Sequence, residues 1–328
     1  MKVSTKEFEI YKGQRPKVLL LGNGLNRMFK GGSWDDLLNA LRDEKKYPLA
    51  QEKYIIPNGF KAPMLANGDL KTKISEYIKD DKNQDKIYSC NSNELLEVVR
   101  AFALLPFDFI LTTNYSYELE LALSNVQVSD EKKIKKLLAN IGDSKAESKY
   151  AMRTFNRVSN KDYERDIWHI HGEYRKPDSI ILGQYYYGNL LTKYSESLKN
   201  TYISTEKSVK TEKPKKINTW TEAFMLGDVY IVGLGMDFSE VDLWWLLEKK
   251  KINQNNYAGS TYFYNPLVQE NIDRDIKKAQ EGPEACKTYL METYDAKVKN
   301  FGFKIKDYAD YPEFYKLVYE DLKKELLK

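Results

Sequence analysis

Short apolar runs that end in small or polar residues recur along the chain and predict the strands of a buried sheet. The clearest of these runs are Lys17 to Leu21, Phe107 to Leu111, Asp166 to Ile170 and Val229 to Gly233. Continuous apolar character is typical of strands that are covered on both faces. Two further strands are predicted at Ser179 to Leu182 and at Ser260 to Tyr264, and Lys299 to Ile305 is a candidate edge strand.

Apolar positions at helical spacing lie between these runs. They predict helices after Trp34, after Asn93, at Tyr117 to Leu123, at Val241 to Leu247 and at Tyr311 to Leu327. We expect Asn93 to cap its helix and Pro106 to end it. Strands that alternate with helices favour an α/β fold with a doubly wound, mostly parallel sheet of the Rossmann-like kind.

The polar stretches of the chain suggest its division into domains. We predict a nucleotide-binding catalytic domain over residues 1–265, with helical insertions near 45–92, 127–163 and 184–216 that form a smaller subdomain. The second insertion is expected to mix short helices with loop, and the third to hold helices joined by a surface loop. Residues 266–328 are predicted to be a mostly helical extension, which either serves assembly or is an ordinary helical cap.

Composition and charge narrow the classes of function. The chain has 42% hydrophobic residues, enough for a sizeable core, and its 52 basic and 48 acidic residues nearly balance at a net charge of +4. Three lysine runs, such as the one at residues 132–136, suit solvated faces better than a nucleic-acid surface. No apolar window approaches the length of a membrane span, and the first residues do not resemble a secretory signal. We therefore expect a cytoplasmic protein that binds no membrane and does not bind nucleic acid directly.

Cysteine and histidine are both scarce. Cys90 and Cys286 are far apart, so the chain offers neither a disulfide framework nor a four-thiolate zinc site. The two histidines, His169 and His171, lie together at the end of a predicted strand. Histidine titrates near neutral pH, so this pair is the natural candidate for proton transfer, although a packing role is open. His171 precedes Gly172 and is the better candidate for a base.

Four short motifs follow predicted strands and should meet where ligands bind in a doubly wound sheet, beyond the carboxyl ends of the strands. The turn at residues 22–24 either approaches a phosphate through its amides or uses glycine for steric reasons, because the third glycine of the dinucleotide pattern is replaced by Arg27. Asn114 either caps the next helix or presents its amide to a ligand. The glycines at 233 and 235 carry the same ambiguity as the first turn.

Taken in order, these motifs resemble those of the sirtuin superfamily. The motifs are Gly-Asn-Gly-Leu-Asn with Trp34 downstream, Thr-Thr-Asn-Tyr, Ile-His-Gly and Val-Gly-Leu-Gly-Met-Asp-Phe, and the likeness spans roughly residues 17 to 264. The nearest branch is the sirtuin-like NAD hydrolases of prokaryotic anti-phage defence. The resemblance implies that NAD is the substrate, that Asn114 contacts the nicotinamide ribose and positions a water, and that His171 is the base. The NAD-binding residues implied or placed beside these motifs are Gly22, Asn23, Gly24, Asn26, Thr113, Gly233, Gly235, Met236 and Asp237.

Two departures from the family pattern matter. Deacylating sirtuins carry a four-cysteine zinc module that this chain lacks, so neither protein deacylation nor a bound metal is expected. The acid usually found two positions after the motif asparagine is Ser116 here, although Tyr115 brings the local match closer to the defence branch.

The implied activity is hydrolysis of NAD to ADP-ribose and nicotinamide, with cyclisation of NAD as an open alternative. A different class of function is a non-catalytic module that binds NAD or ADP-ribose and regulates a defence complex. The resemblance also implies that activity is controlled by homo-oligomerisation or by an activating partner, such as a translocase-type ATPase or a phage-sensing protein.

Overall fold

The structure is a computed structural model that describes residues 6–29, 37–38, 41, 70–79, 92–142, 152–236, 240–253, 257–268, 291–303 and 310–328. Its strands are β1 (Lys6–Phe8), β2 (Lys17–Leu21), β3 (Phe109–Thr112), β4 (Asn156–Ser159), β5 (Glu164–His169), β6 (Lys215–Ile217), β7 (Asp228–Val232), β8 (Thr261–Val268) and β9 (Ala296–Phe303).

Within these ranges seven strands form one sheet in the order β4-β5-β3-β2-β7-β8-β9. Neighbouring strands run parallel except at the β4–β5 pair, which is antiparallel. From β2 the chain winds outwards through β3 to β5, and it then builds the other half of the sheet with β7, β8 and β9. This is the predicted doubly wound α/β arrangement, and its switch point, where ligands usually bind, lies between β2 and β7.

Helices cover both faces of the sheet. They are α1 (Gly24–Met28), α2 (Leu70–Lys79), α3 (Asn93–Leu104), α4 (Glu118–Leu123), α5 (Glu131–Gly142), α6 (Gln184–Lys210), α7 (Trp220–Leu226), α8 (Val241–Ile252) and α9 (Asp310–Leu326). No helix in the described ranges has both the length and the apolar character needed to cross a bilayer.

The side chains of β2 show why its sequence is apolar throughout. Val18 and Leu20 enter the core formed with α6, α7 and α8, whereas Leu19 and Leu21 enter the core formed with α3, α4 and α9. Successive residues of a strand point to opposite faces, so a strand between two helical layers has no position for a polar side chain. Full burial of one such side chain contributes about 1.5 to 3 kcal/mol.

A third, smaller cluster lies beyond the carboxyl ends of the strands. Leu70, Ile74 and Ile78 of α2 pack there against Tyr115 and Ile180. These last two residues follow β3 and β5, so α2 covers the loops that leave these strands. The division of the chain at residue 265 stays a prediction, and β9 and α9 beyond it complete the central sheet and its second core.

The structure corrects four local predictions. The run Ser179 to Leu182 is not a strand, because a 3-10 turn at Pro177–Ser179 precedes it and its apolar residues are buried by loop packing. Residues 184–210 form one 27-residue helix, and β6 follows it inside the predicted insertion. The insertion at 127–163 contains α5 and the unpredicted edge strand β4, in which only alternate residues are buried.

The fourth correction concerns the start of α3. Ser92 is the capping residue, and its hydroxyl accepts a hydrogen bond from the Leu95 amide. Asn93 is the first helical residue, and its side chain instead accepts from the Val128 amide. The helix predicted after Trp34 lies mostly outside the described residues.

Candidate functional site

The first glycine turn touches the second glycine motif directly. The Gly22 amide donates to the Val232 carbonyl at 2.9 Å, and the Gly24 amide donates to the Gly233 carbonyl at 2.7 Å. A Cβ atom on Gly22 would lie 2.5 Å from the Gly233 oxygen, and one on Gly24 would lie 2.6 Å from the Gly233 Cα. Glycine is therefore required at both positions because two backbones meet at the switch point, which is the steric alternative raised by the sequence.

Asn26 joins the first turn to the segment after β3. Its amide Nδ2 donates to Asn23 Oδ1 at 2.7 Å and to Glu118 Oε1 at 2.9 Å. The Ser116 hydroxyl donates to the same Glu118 oxygen. Burial raises the pKa of Glu118, and the hydrogen bonds from Ser116 and Asn26 only partly oppose this rise. The acid in this part of the site is therefore Glu118, from the first turn of α4, and not a residue at position 116.

Asn114 follows β3, and its described contacts all involve the main chain. Its amide donates to the Thr112 hydroxyl at 3.0 Å, and its carbonyl accepts from His169 Nδ1 at 2.7 Å. The residue is 7% exposed. These contacts fix the backbone from both sides, and no hydrogen bond among the described residues engages the side-chain amide. The neighbouring Thr113 is buried, and its hydroxyl has no hydrogen-bond partner in the described part of the chain.

His169 is held by its two nitrogens and is a structural cation. Nδ1 lies against the Asn114 carbonyl, and Nε2 lies 2.8 Å from Glu120 Oε1. Burial disfavours the charged imidazole, but the Glu120 carboxylate outweighs burial and raises the pKa of His169 to about 9. An imidazolium donates from both nitrogens, as this geometry requires. His169 is therefore not available as a base near neutral pH.

A buried polar network surrounds this ion pair. Asn156 Nδ2 donates to Glu120 at 2.8 Å and to Glu173 at 3.0 Å, so β4 supplies the group that bridges the two acids. Glu173 also accepts from the Tyr117 hydroxyl and from Lys176 Nζ, both at 3.0 Å. The charges of His169 and Lys176 lower the pKa of Glu173 despite its burial. The network holds the loop that carries Asn114 against the segment that carries the two histidines.

His171 lies on the other side of β5 and has a different partner. Its Nε2 is 2.9 Å from Oδ2 of Asp242, a fully buried residue in the first turn of α8. The Tyr194 hydroxyl of α6 donates to the same oxygen at 3.1 Å, and the Tyr187 ring packs edge-on against the imidazole. Burial lowers the pKa of His171, but Asp242 and then Glu240 outweigh this effect, so the net shift is upward.

The turn after His171 explains the glycine that follows it. Gly172 has a φ of +95°, and a Cβ atom there would lie 2.2 Å from the Ser179 carbonyl oxygen. Glycine is needed at this position because the chain reverses tightly against residues 179–180. The His171 carbonyl accepts from the Ile181 amide at 2.8 Å, which fixes the same turn.

The second glycine motif is partly described. Gly233 has a φ of +66° and packs on Gly24, whereas a Cβ atom on Gly235 would meet no neighbour. Met236 is buried with a φ of +48°. Asp237 lies outside the described residues.

The structure thus places Asn114 and His171 at the ends of adjacent parallel strands. Thr112 of β3 pairs with His169 of β5. Asn114 comes two residues after Thr112, and His171 comes two residues after His169. The sequence reasoning missed Glu118, Glu120, Asp242 and Tyr194. A charged residue on an otherwise apolar helical face was the available signal, and it is clearest at Asp242 beside Leu243, Leu246 and Leu247.

One group of side chains in the described residues has the spacing of a metal site. His171, Glu240 and Asp242 offer ligand atoms that all lie within 4.8 Å of one another. The group includes the His171–Asp242 pair, so any ion bound there would act on the candidate base.

Residues 108–210 match the family model of the SIR2-like domain. The matched stretch runs from the start of β3 to the end of α6 and includes Asn114, both histidines and the network around His169. The match supports a sirtuin-like family for this chain, and the mostly parallel sheet flanked by helices is consistent with the Rossmann-like fold of that family. No curated protein matches the chain. The SIR2-like family binds NAD, and the match is compatible with an enzyme that acts on it.

Proposed function

We propose that the protein is an NAD glycohydrolase that cleaves NAD to ADP-ribose and nicotinamide. The observation that carries the proposal is the pairing of His171 with Asp242 at the carboxyl ends of the strands. Asn114 lies at the end of the adjacent strand, and both candidates come two residues after the paired residues Thr112 and His169. The SIR2-like match, which covers Asn114 and His171, supports NAD as the substrate class.

The reaction breaks the bond between the ribose C1′ carbon and the nicotinamide nitrogen. The bonding electron pair leaves with the nicotinamide, which is cationic in NAD and departs neutral. The ribose then develops oxocarbenium character, as in glycoside hydrolysis. A water oxygen bonds to C1′, and its proton passes to a base. The protein must orient the ribose and the water and must accept this proton.

His171 is the proposed base. Its Nε2–H donates to the Asp242 carboxylate, and this fixes the tautomer in which the Nδ1 lone pair accepts a proton. Asp242 also stabilises the imidazolium that forms. Positioned base catalysis of this kind contributes about 10²- to 10⁴-fold to rate. Tyr194 holds the carboxylate from the other side and acts through it as a positioning residue.

Asn114 is the proposed ribose and water ligand. Its backbone is fixed by Thr112 and His169, so only the side-chain torsions have to be ordered when the amide binds the substrate. His169 and Glu120 are positioning residues in this scheme, because His169 holds the Asn114 carbonyl and Glu120 holds His169.

The NAD-binding residues expected from the resemblance stay part of the proposal. The Gly22 and Gly24 amides already donate to backbone carbonyls, so phosphate contacts in the first turn would come from other groups near Asn23 and Asn26. Thr113, Gly233, Gly235, Met236 and Asp237 complete the proposed binding surface.

A non-catalytic NAD-binding or ADP-ribose-binding module is the second candidate. Both imidazole side chains are buried and hydrogen-bonded, an arrangement that a purely structural role would also produce. Such a module would retain bound nucleotide without turning it over.

The decisive assay follows nicotinamide and ADP-ribose by chromatography after purified protein is incubated with NAD. We expect activity in the parent and its loss in Asn114→Ala and His171→Ala, with Asn265→Ala, an asparagine change on β8, as the matched control. Activity that survives His171→Ala contradicts the assignment of the base. Cyclic ADP-ribose as the product would indicate cyclisation, and nucleotide that copurifies without turnover would favour the binding module.

We further propose that NAD depletion serves bacterial anti-phage defence in the cytoplasm. The support is the resemblance to the defence branch, which also suggests homo-oligomerisation or an activating partner such as a translocase-type ATPase or a phage sensor. Cellular NAD should fall after infection of cells that carry the parent gene, and it should not fall with His171→Ala. Unchanged NAD in both strains would reject this role.

A further inference from the structure

The group of His171, Glu240 and Asp242 lies where β5 meets the start of α8. His171 is on the turn after β5, Glu240 directly precedes α8, and Asp242 is in its first turn. Their ligand atoms lie within 4.8 Å of one another, and no other group of three histidine, cysteine or acidic side chains in the described residues has this spacing. The three residues come from two separate segments, so the tertiary structure alone brings them together.

The spacing suits one small cation. Bonds of about 2.0 to 2.2 Å from a tetrahedral ion to nitrogen and oxygen place neighbouring ligand atoms about 3.3 Å apart. His171 Nε2 and Asp242 Oδ2 are 2.9 Å apart, so only a few tenths of an ångström of widening would admit the ion between them.

Asp242 supplies a second, independent observation. The residue is fully buried, and its Oδ1 has no hydrogen-bond donor in the described part of the chain. Its other oxygen accepts from His171 and Tyr194. A buried carboxylate oxygen without a donor carries an unmet desolvation cost, which a bound cation would offset.

The donor set indicates the class of ion. One imidazole and two carboxylates suit zinc and related first-row divalent ions, whereas calcium and magnesium favour sites built from oxygen ligands alone. Three protein ligands also leave a coordination position for water.

We propose that His171, Glu240 and Asp242 bind a divalent transition-metal ion of the zinc class, and that this ion switches off NAD cleavage. The second half rests on the proposed function, whereas the binding of the ion does not.

The inhibition follows from the tautomer of His171. Without the ion, the single proton of the neutral imidazole is on Nε2, and Nδ1 accepts the proton of the attacking water. An ion on Nε2 takes the lone pair of that nitrogen, so the proton moves through solvent to Nδ1. Nδ1 is then a donor, and the base is lost without any change in the fold.

The first test measures zinc binding directly, by competition with a chromophoric chelator. The full chain carries Cys90→Ser and Cys286→Ser, which removes both thiols as competing ligands. We expect one zinc ion per chain and an affinity at least about ten-fold lower in Glu240→Gln and in Asp242→Asn, since loss of even an outer-shell partner costs about that much. Glu248→Gln, the same charge change at an exposed position of α8, is the matched control. Equal zinc affinity in all four proteins would overturn the site.

The scarcity of histidine permits a second readout. With ¹⁵N-labelled histidine the spectrum contains two imidazoles, His169 and His171. Zinc should move the His171 signals to those of a metal-bound Nε2 and leave His169 in place, and an unmoved His171 would refute ligation. This measurement also covers the case in which Asp242→Asn fails to fold.

The activity test compares nicotinamide release with and without zinc within each protein. One equivalent of zinc should reduce release at least about ten-fold in the parent and much less in Glu240→Gln, and excess chelator should restore it. Zinc that binds at His171 without lowering turnover overturns the regulatory half. Zinc binding in a protein that never cleaves NAD instead rejects the proposed function and leaves the metal site standing.

Discussion

The ion pair between His169 and Glu120 makes a quantitative prediction about stability and pH. Both side chains are buried, and the folded protein raises the pKa of the imidazole from 6.5 to about 9. A folded pKa above the unfolded value means that the pair stabilises the protein fully below pH 6.5. The contribution is lost as the pH rises from 6.5 to about 9.

The magnitude follows from the size of the shift. At about 1.4 kcal/mol per pH unit, the move from 6.5 to about 9 corresponds to about 3 kcal/mol of unfolding free energy. Glu120→Gln keeps an oxygen that accepts from His169 and removes the charge. Burial is the largest single influence on His169 and lowers its pKa, and in the variant only Glu173 and the Asn114 carbonyl still oppose it, so the variant should lose most of this contribution at pH 6. The difference in unfolding free energy between the parent and Glu120→Gln should therefore be about 3 kcal/mol smaller at pH 9.5 than at pH 6.

The assay is urea denaturation of both proteins at pH 6, 7.5 and 9.5, in buffer with a chelator. The comparison between the proteins cancels the pH dependence of stability that comes from groups common to both. Lys250 is one such group, because its folded pKa of about 7 lies below its usual value and favours stability at higher pH. A difference in unfolding free energy that is constant across these pH values would refute the assignment of His169 as a buried cation.

Three further predictions concern single contacts. Asp242→Asn should lower nicotinamide release about 10- to 100-fold, because the amide fixes the His171 tautomer less well. The circular dichroism spectrum should be unchanged. Full activity would show that Asp242 does not orient the base. Lys250→Met should cost about 2 to 5 kcal/mol of unfolding free energy in urea denaturation, since the buried Nζ donates to three main-chain carbonyls, and an unchanged midpoint would contradict this role. Gly172→Ala should cost at least about 2 kcal/mol, because its φ is positive and its Cβ would meet the Ser179 carbonyl; a thermal scan without a lowered midpoint would show that the turn adapts.

The sequence was sufficient for the inner strands of the central sheet. The runs at β2, β3 and β7 are apolar because these strands are buried on both faces, and that requirement is visible in one dimension. The edge strand β4 was missed because only Asn156 and Val158 are buried, which leaves a weak alternating pattern. The run Ser179 to Leu182 was wrongly predicted as a strand, because burial in a loop gives the same local signal as burial in a sheet.

The sequence also determined where chemistry would concentrate, since strand ends with small and polar residues are where such a sheet binds ligands. Only the tertiary structure decided what each imidazole does. His169 pairs with Glu120, 49 residues away, and His171 pairs with Asp242, 71 residues away. β5 ends at His169, and the turn that follows it carries His171 to different neighbours. The carboxylate that each ring meets depends on how helices pack across the sheet. No local pattern encodes that packing, so the roles of structural cation and candidate base became distinct only in the folded chain.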